Sequence, residues 1–130
     1  MIIGIDHFTI NVVNLEKSIY FYEKILGLKQ LNIINMGDHE LIYFHLQEGC
    51  KLELIHYFYE TDLCHPKENT QGIYRHMALK TDDVMEVYKK CTENDILIRL
   101  HPIVMDKLLC KGMLIEDPNG VEIEIVQKFV

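Results

Sequence analysis

IIGIDHFTINVVNLEKSIYFYEKILG, residues 2–27, contains the pattern on which the fold reading turns. Residues 2–12 are rich in β-branched side chains and alternate: Phe8, Ile10 and Val12 fall on one face, His7, Thr9 and Asn11 on the other, the period of a strand. Asn14 is a good helix N-cap and Glu16 lies in the first turn, where the helix dipole favours an anion. Leu15, Ile19, Tyr22 and Leu26 then recur at helical spacing, and Gly27 sits where a left-handed residue closes a helix. Strand-like runs follow at 28–36, 40–47 and 50–57, separated by Gly37-Asp38 and Glu48-Gly49, both short enough for hairpins. The first half therefore reads β-α-β-β-β.

The second half repeats the order. Residues 73–81 read as a strand, and Asp82 or Asp83 caps a helix with Val84, Val87, Tyr88 and Cys91 on its apolar stripe. Glu93-Asn94-Asp95 ends that helix. Residues 96–101 form a strand that stops at Pro102. Strands over 108–116 and 121–128 flank the turn Asp117-Pro118-Asn119-Gly120. A shift of 69 positions lays His7 over His76, Asn14 over Asp83, Leu15 over Val84 and Ile19 over Tyr88. Neither half is large enough to bury much core alone, so the halves are expected to build one domain over 1–130. The expected class is α+β, with modules of about 1–57 and 73–130. Residues 58–72, where periodicity is lost, are the linker.

Composition narrows the function. The chain has 130 residues, enough for one domain. Its formal net charge of −7 and dispersed Lys and Arg argue against nucleic acid as a partner. No apolar run approaches the ~20 residues of a membrane span, so no membrane partner is expected. The first ten residues lack a basic region and reach Asp6 and His7 too early for a signal peptide, which suggests a cytoplasmic protein. Cys50, Cys64, Cys91 and Cys110 show no Cys-x-x-Cys spacing, so neither a disulfide framework nor a zinc finger is expected, and Cys64-His65 reads as a reduced thiol beside a loop histidine.

The chemistry-bearing residues lie opposite the apolar stripes. The first strand offers His7. Around Lys51-Leu52-Glu53-Leu54-Ile55 the period of two puts Leu52 and Leu54 toward the core and Glu53 opposite. In the second half His76 takes the place of His7, and Val121-Glu122-Ile123-Glu124-Ile125 presents two glutamates. Taken singly, a strand histidine is more often a satisfied core or surface residue, and the glutamates read by default as the solvated face of an amphipathic sheet. Their recurrence in equivalent places of both halves favours a site. If first and last strands are neighbours, His and Glu approach in pairs, and a pseudo-twofold brings all four to one centre. Two imidazoles and two carboxylates suit a divalent first-row ion such as Ni²⁺, Zn²⁺, Co²⁺, Fe²⁺ or Mn²⁺. The lack of thiolates argues against a closed structural zinc site. The expected metal ligands are His7, Glu53, His76 and Glu124. Glu122 fits the uncorrected shift and is the fallback. His39, His45, His56, His65 and His101 lack partners at the shift and read as structural or surface residues.

Asp6-His7, Asn14 to Tyr22, Leu26-Gly27-Leu28, Arg75 to Leu79 and Glu116-Asp117-Pro118-Asn119-Gly120-Val121-Glu122-Ile123-Glu124 together resemble the vicinal oxygen chelate superfamily across essentially the whole chain. The resemblance implies tandem βαβββ modules curled into a cup-shaped, incompletely closed eight-stranded barrel. Glyoxalase I-like members use His, Glu, His, Glu, which carries onto His7, Glu53, His76 and Glu124. Extradiol dioxygenases and fosfomycin-modifying members generally have three ligands, methylmalonyl-CoA epimerases generally have Gln at the second, and bleomycin-binding members have lost the metal. The implied activity is that of a glyoxalase I-like lyase, a metal-stabilised enediolate proton transfer on a small substrate with vicinal oxygens, such as the hemithioacetal of a 2-oxoaldehyde. Glu124 is then the base and Glu53 its partner. The alternatives are an epimerase, a thiol transferase, a dioxygenase or a small-molecule-binding protein. Superfamily members often pair two chains, which implies a homodimer. Asn11 stands where glyoxalase I proteins usually place an Arg that helps bind the glutathione carboxylate.

Overall fold

The computed structural model describes residues 1–62, 72 and 74–129. Most of the expected linker, with Cys64 and His65, lies outside the described residues. The chain divides into two compact units, Met1–Leu63 and Cys64–Val130.

In the first unit, β1 (His7–Val12) leads into helix α1 (Leu15–Tyr20), followed by β2 (Gln30–Asn35), β3 (His39–Gln47) and β4 (Cys50–Tyr57). The sheet order is β1-β4-β3-β2, with β1 and β4 parallel and the other pairs antiparallel. Asn14 caps α1 as anticipated, its side chain accepting from Lys17 N at 3.0 Å, and Gly27 takes the left-handed conformation at φ +74°. Between these points the helix widens into a π-turn over Phe21–Ile25, with Leu26 N donating to Phe21 O at 3.0 Å. That widening corrects the expected stripe. The buried face carries Ser18, Phe21, Tyr22 and Ile25, so that two consecutive aromatics share it. Phe21 and Tyr22 meet edge to face at 4.9 Å, and Tyr22 packs near Phe44. Ile42, Leu52 and Leu54 complete this core, each fully buried and worth roughly 1.5–3 kcal/mol of apolar transfer.

The second unit holds β5 (Met77–Lys80), α2 (Val84–Glu93), β6 (Ile98–Met105), β7 (Cys110–Glu116) and β8 (Glu122–Lys128). Its order, β5-β8-β7-β6, repeats the first sheet with the same parallel and antiparallel pairs. Asp83 rather than Asp82 is the cap, accepting from Met85 N at 3.0 Å and Glu86 N at 3.2 Å. Val84, Cys91, Met113, Ile115 and Ile123 form the core. Burial pushes the Cys91 thiol up to about 11, leaving it protonated and inert. Cys50, Cys91 and Cys110 are all free. The architecture is thus α+β, two mixed four-stranded sheets each built β-α-β-β-β, as the repeat implied.

Several boundaries differ from expectation, for reasons of pairing. β1 begins at His7 rather than residue 2 because β4, its neighbour in the sheet, begins at Cys50; Lys51 N donates to Asp6 O at 3.0 Å, and among the described residues nothing upstream of Asp6 has a partner strand. β5 starts at Met77, opposite Ile123. β6 does not stop at Pro102 but runs on to Met105, because it is an edge strand and its register slips between Leu100 and Ile103, where a residue without an N–H is tolerated. β7 begins at Cys110 because a 3₁₀ turn, Asp106–Leu108, ends in left-handed Leu109. The β6–β7 hairpin turns through residues 106–109 where the β2–β3 hairpin turns through Gly37 and Asp38. This longer turn supplies the two residues by which Glu124 overshoots the 69-residue repeat from Glu53.

Candidate functional site

The first unit brings His7 and Glu53 together. β1 and β4 run parallel with His7 level with Lys51 and Thr9 level with Glu53. His7 and Glu53 therefore share a face on a diagonal, with Nε2 and Oε1 3.9 Å apart. The other ring nitrogen, Nδ1, lies 2.6 Å from Asp6 Oδ2. Donation of Nδ1–H to that carboxylate leaves the Nε2 lone pair directed at the Glu53 side, the second-sphere arrangement that metal-bound histidines favour. The same contact holds the Asp6 carboxyl below its ordinary value.

Glu53 is not a solvated sheet residue. It is only 7% exposed. Thr9 Oγ1 donates to its Oε1 at 3.1 Å and Tyr43 OH donates to its Oε2 at 2.5 Å. Lys51 Nζ stands over the Tyr43 ring at 5.0 Å. The Glu53 hydrogen bond, with burial second, pushes the Tyr43 phenol up to about 12. Sequence reasoning missed Thr9 and Tyr43. Thr9 was accessible, being two residues beyond His7 on the same face. Tyr43 was not, because a two-residue turn at Glu48-Gly49 continued without interruption puts it opposite Leu54. A bulge between His45 and Gln47 moves the register by one and sets Tyr43 opposite Glu53.

The second unit repeats the diagonal. His76 stands one residue before β5 rather than on it, one step ahead of the Met77–Ile123 pair and so level with Glu122. Its Nε2 lies 2.9 Å from Glu124 Oε2. His76–Glu124 thus matches His7–Glu53 in register, and Glu122 matches Lys51. Glu122 is engaged elsewhere, in an ion pair with Arg75. Glu124 is flanked across the sheet by Ala78 and Leu114, neither of whose side chains can donate a hydrogen bond. His76 Nδ1 is buried and has no partner among the described residues.

The four expected ligands are therefore found as two His–Glu pairs, one in each unit. Among the described residues no group of three or more His, Cys, Asp and Glu side chains is gathered as around a metal ion. Each pair offers one nitrogen and one oxygen donor, the donor types that a divalent first-row cation takes. His7 has the outer-sphere acceptor such a role calls for, whereas among the described residues His76 has none. Of the remaining histidines, His39 pairs with Asp38, His56 with Glu40 and His101 with the Tyr88 hydroxyl, in keeping with structural roles. Among the described residues no helix is long and apolar enough to cross a membrane.

Two β-α-β-β-β units, each setting a histidine diagonally across from a glutamate on the same sheet face, define an α+β protein of the paired-module class. The chain belongs to the Glyoxalase/Bleomycin resistance protein/Dioxygenase superfamily, whose sequence profile matches residues 4–125. It is 33% identical over 128 residues to the uncharacterized Bacillus subtilis protein YwbC, covering 95% of this chain and 97% of that one. It is 27% identical over 127 residues to lactoylglutathione lyase of Neisseria meningitidis, covering 94% and 88%. The fold matches that of the trypanothione-dependent glyoxalase I of Leishmania major, with a TM-score of 0.79 at 24% identity over 96% of this chain and 86% of that one. It also matches TnmS3, an antibiotic-binding protein from Streptomyces, with a TM-score of 0.73 at 20% identity over 98% and 97%.

Proposed function

We propose that the protein is a divalent-metal-dependent lyase of the glyoxalase I kind, acting on a small substrate with adjacent oxygens such as the hemithioacetal of a 2-oxoaldehyde. The observation that carries this reading is the repeated His–Glu diagonal, His7–Glu53 and His76–Glu124, at equivalent register in both units. The similarity to lactoylglutathione lyase supports it. His7, Glu53, His76 and Glu124 would hold the ion, Ni²⁺ or Zn²⁺ in the first instance. A bound divalent ion supplies Lewis acidity, lowering the pKa of a C–H beside the two substrate oxygens.

The chain's own residues then move the proton. Glu124 takes it from the substrate carbon and returns it to the neighbouring carbon, while the hydroxyl proton passes from the first carbon's oxygen to the second's, so the carboxylate is regenerated and atoms balance over the cycle. Glu53, bonded through both oxygens, stays where it is. His7 is oriented by Asp6 and keeps Nε2 directed at the site. Asn11, level with Ile55 on the same face, provides no cation for a thiol carboxylate, so the thiol is proposed to differ from glutathione. A homodimer in the cytoplasm is part of the same reading.

The test is metal analysis of the purified protein combined with a thioester-forming assay using methylglyoxal and a panel of thiols. Stoichiometric metal and turnover with at least one thiol are expected. Bound metal with no turnover moves the reading to another reaction of the superfamily. Protein that stays metal-free after reconstitution replaces it with small-molecule sequestration.

A further inference from the structure

The two glutamates hold equivalent positions in their sheets, but their neighbours differ. Glu53 receives a hydroxyl from each adjoining strand: Thr9 from β1 onto Oε1 and Tyr43 from β3 onto Oε2. Both donors are its direct register partners. The residues in the same two places beside Glu124 are Ala78 and Leu114. A buried carboxylate with both oxygens bonded has one orientation, because any rotation leaves two polar groups unsatisfied. Glu124 instead meets His76 Nε2, 2.9 Å from its Oε2, and its register partners bring it no hydroxyl.

We propose that Thr9 and Tyr43 are positioning residues that fix Glu53 as the stationary carboxylate of the site, a pair of hydroxyls that the second half of the repeat replaces with Ala78 and Leu114 beside Glu124. This inference rests on the metal-dependent reading above and assigns different work to the two halves of the repeat. Hydroxyls that support a ligating carboxylate act on metal affinity, whereas a tether on the proton-carrying carboxylate acts on turnover. The two effects separate cleanly in measurement.

The experiment uses the full chain and Ni²⁺ as probe, with affinity read by competition against a chromophoric chelator and turnover read at saturating Ni²⁺. Tyr43→Phe and Thr9→Val are each expected to weaken Ni²⁺ binding about 10- to 100-fold, the usual cost of losing an outer-sphere partner. Thr9→Ser, which keeps the hydroxyl, is expected to restore it. Leu114→Tyr, which offers Glu124 the donor that Glu53 has, is expected to keep Ni²⁺ affinity and lower kcat roughly tenfold, about what one hydrogen bond to a charged group is worth. Thermal midpoints report folding of each variant, and the Thr9 pair decides the matter if Tyr43→Phe does not fold. Wild-type protein that binds Ni²⁺ while Tyr43→Phe and Thr9→Val bind it equally well overturns the positioning role alone. Wild-type protein that binds no Ni²⁺ overturns the metal-dependent reading and this inference with it.

Discussion

Glu53 and Glu124 are the same residue placed twice by the same topology, yet one is held by two hydroxyls and the other meets an imidazole. Parallel pairing of the first and last strands of each unit sets a glutamate diagonally across from a histidine, so the donors follow from the backbone. What surrounds the donors follows from the strands beside them, and there the halves have diverged: Thr9 and Tyr43 in one, Ala78 and Leu114 in the other. On the reading proposed above, a repeated fold would supply a symmetric ligand set while side chains one strand away hold its two carboxylates differently. The sharpest way to break this comparison is to remove each carboxylate in turn. Glu124→Gln is expected to lower kcat/KM by ~10²–10⁴-fold while metal stays bound, the usual worth of a positioned base. Glu53→Gln is expected to lose metal first. Metal content measured beside steady-state kinetics checks both, and the reverse pattern exchanges the two roles.

The closing turns sharpen the comparison in the currency of stability. β3 and β4 are joined by Glu48 and Gly49 alone, with Gly49 at φ +75°. β7 and β8 are joined through Asp117–Val121, where the buried Asp117 side chain accepts from Asn119 N and Val121 N, both at 2.8 Å. Asp117→Ala strands those amides and is expected to cost about 1–3 kcal/mol in urea unfolding. Glu48→Ala, on an exposed turn, is expected to stay within ~0.5 kcal/mol. The caps differ less. Asp83→Ala removes two amide acceptor bonds from α2 and should cost about 1 kcal/mol. Asn14→Ala removes one such bond from α1 and should cost less.

Much of the architecture was legible because it is written in local patterns. The caps Asn14 and Asp83, the closing Gly27, the turn at Asp117–Gly120 and the alternation around Leu52-Glu53-Leu54 each announce themselves within a few residues. The pairing of His7 with Glu53 and His76 with Glu124 followed from applying that pattern to both halves. Features that depend on a neighbouring strand were hidden. The start of β1 is set by where β4 begins, and the passage of β6 through Pro102 by its place at an edge. The burial of Glu53 and its bond to Tyr43 depend on one bulged residue near His45, since a slip of one position moves every side chain to the other face. The π-turn after Tyr20 is likewise a property of packing Phe21 and Tyr22 on one sheet, and helical spacing alone points to a different stripe.

The smallest expected effect tests the same contrast through pH. The Tyr43 phenol is raised from its ordinary 10.0 to about 12, first by its hydrogen bond to Glu53 and then by burial. A group whose folded pKa lies above its unfolded one contributes stability fully below the unfolded value and loses it as pH rises through the folded value. The Tyr43–Glu53 bond should therefore be intact up to about pH 10 and give way toward pH 12. Asp6 behaves in the opposite sense: its carboxyl is lowered by His7, so its contribution is present above the ordinary 3.8 and fades as acid protonates it. The second unit has Leu114 where the first has Tyr43 and offers no phenol to titrate at that place. Stability curves of wild type and Tyr43→Phe, read by urea unfolding at successive pH values, are expected to differ at neutral pH and to converge above pH 10 as the wild type loses the bond. Curves that run parallel through the alkaline range would mean that the phenol does not hold its proton for Glu53, and the contrast between the halves would then rest on Thr9 alone.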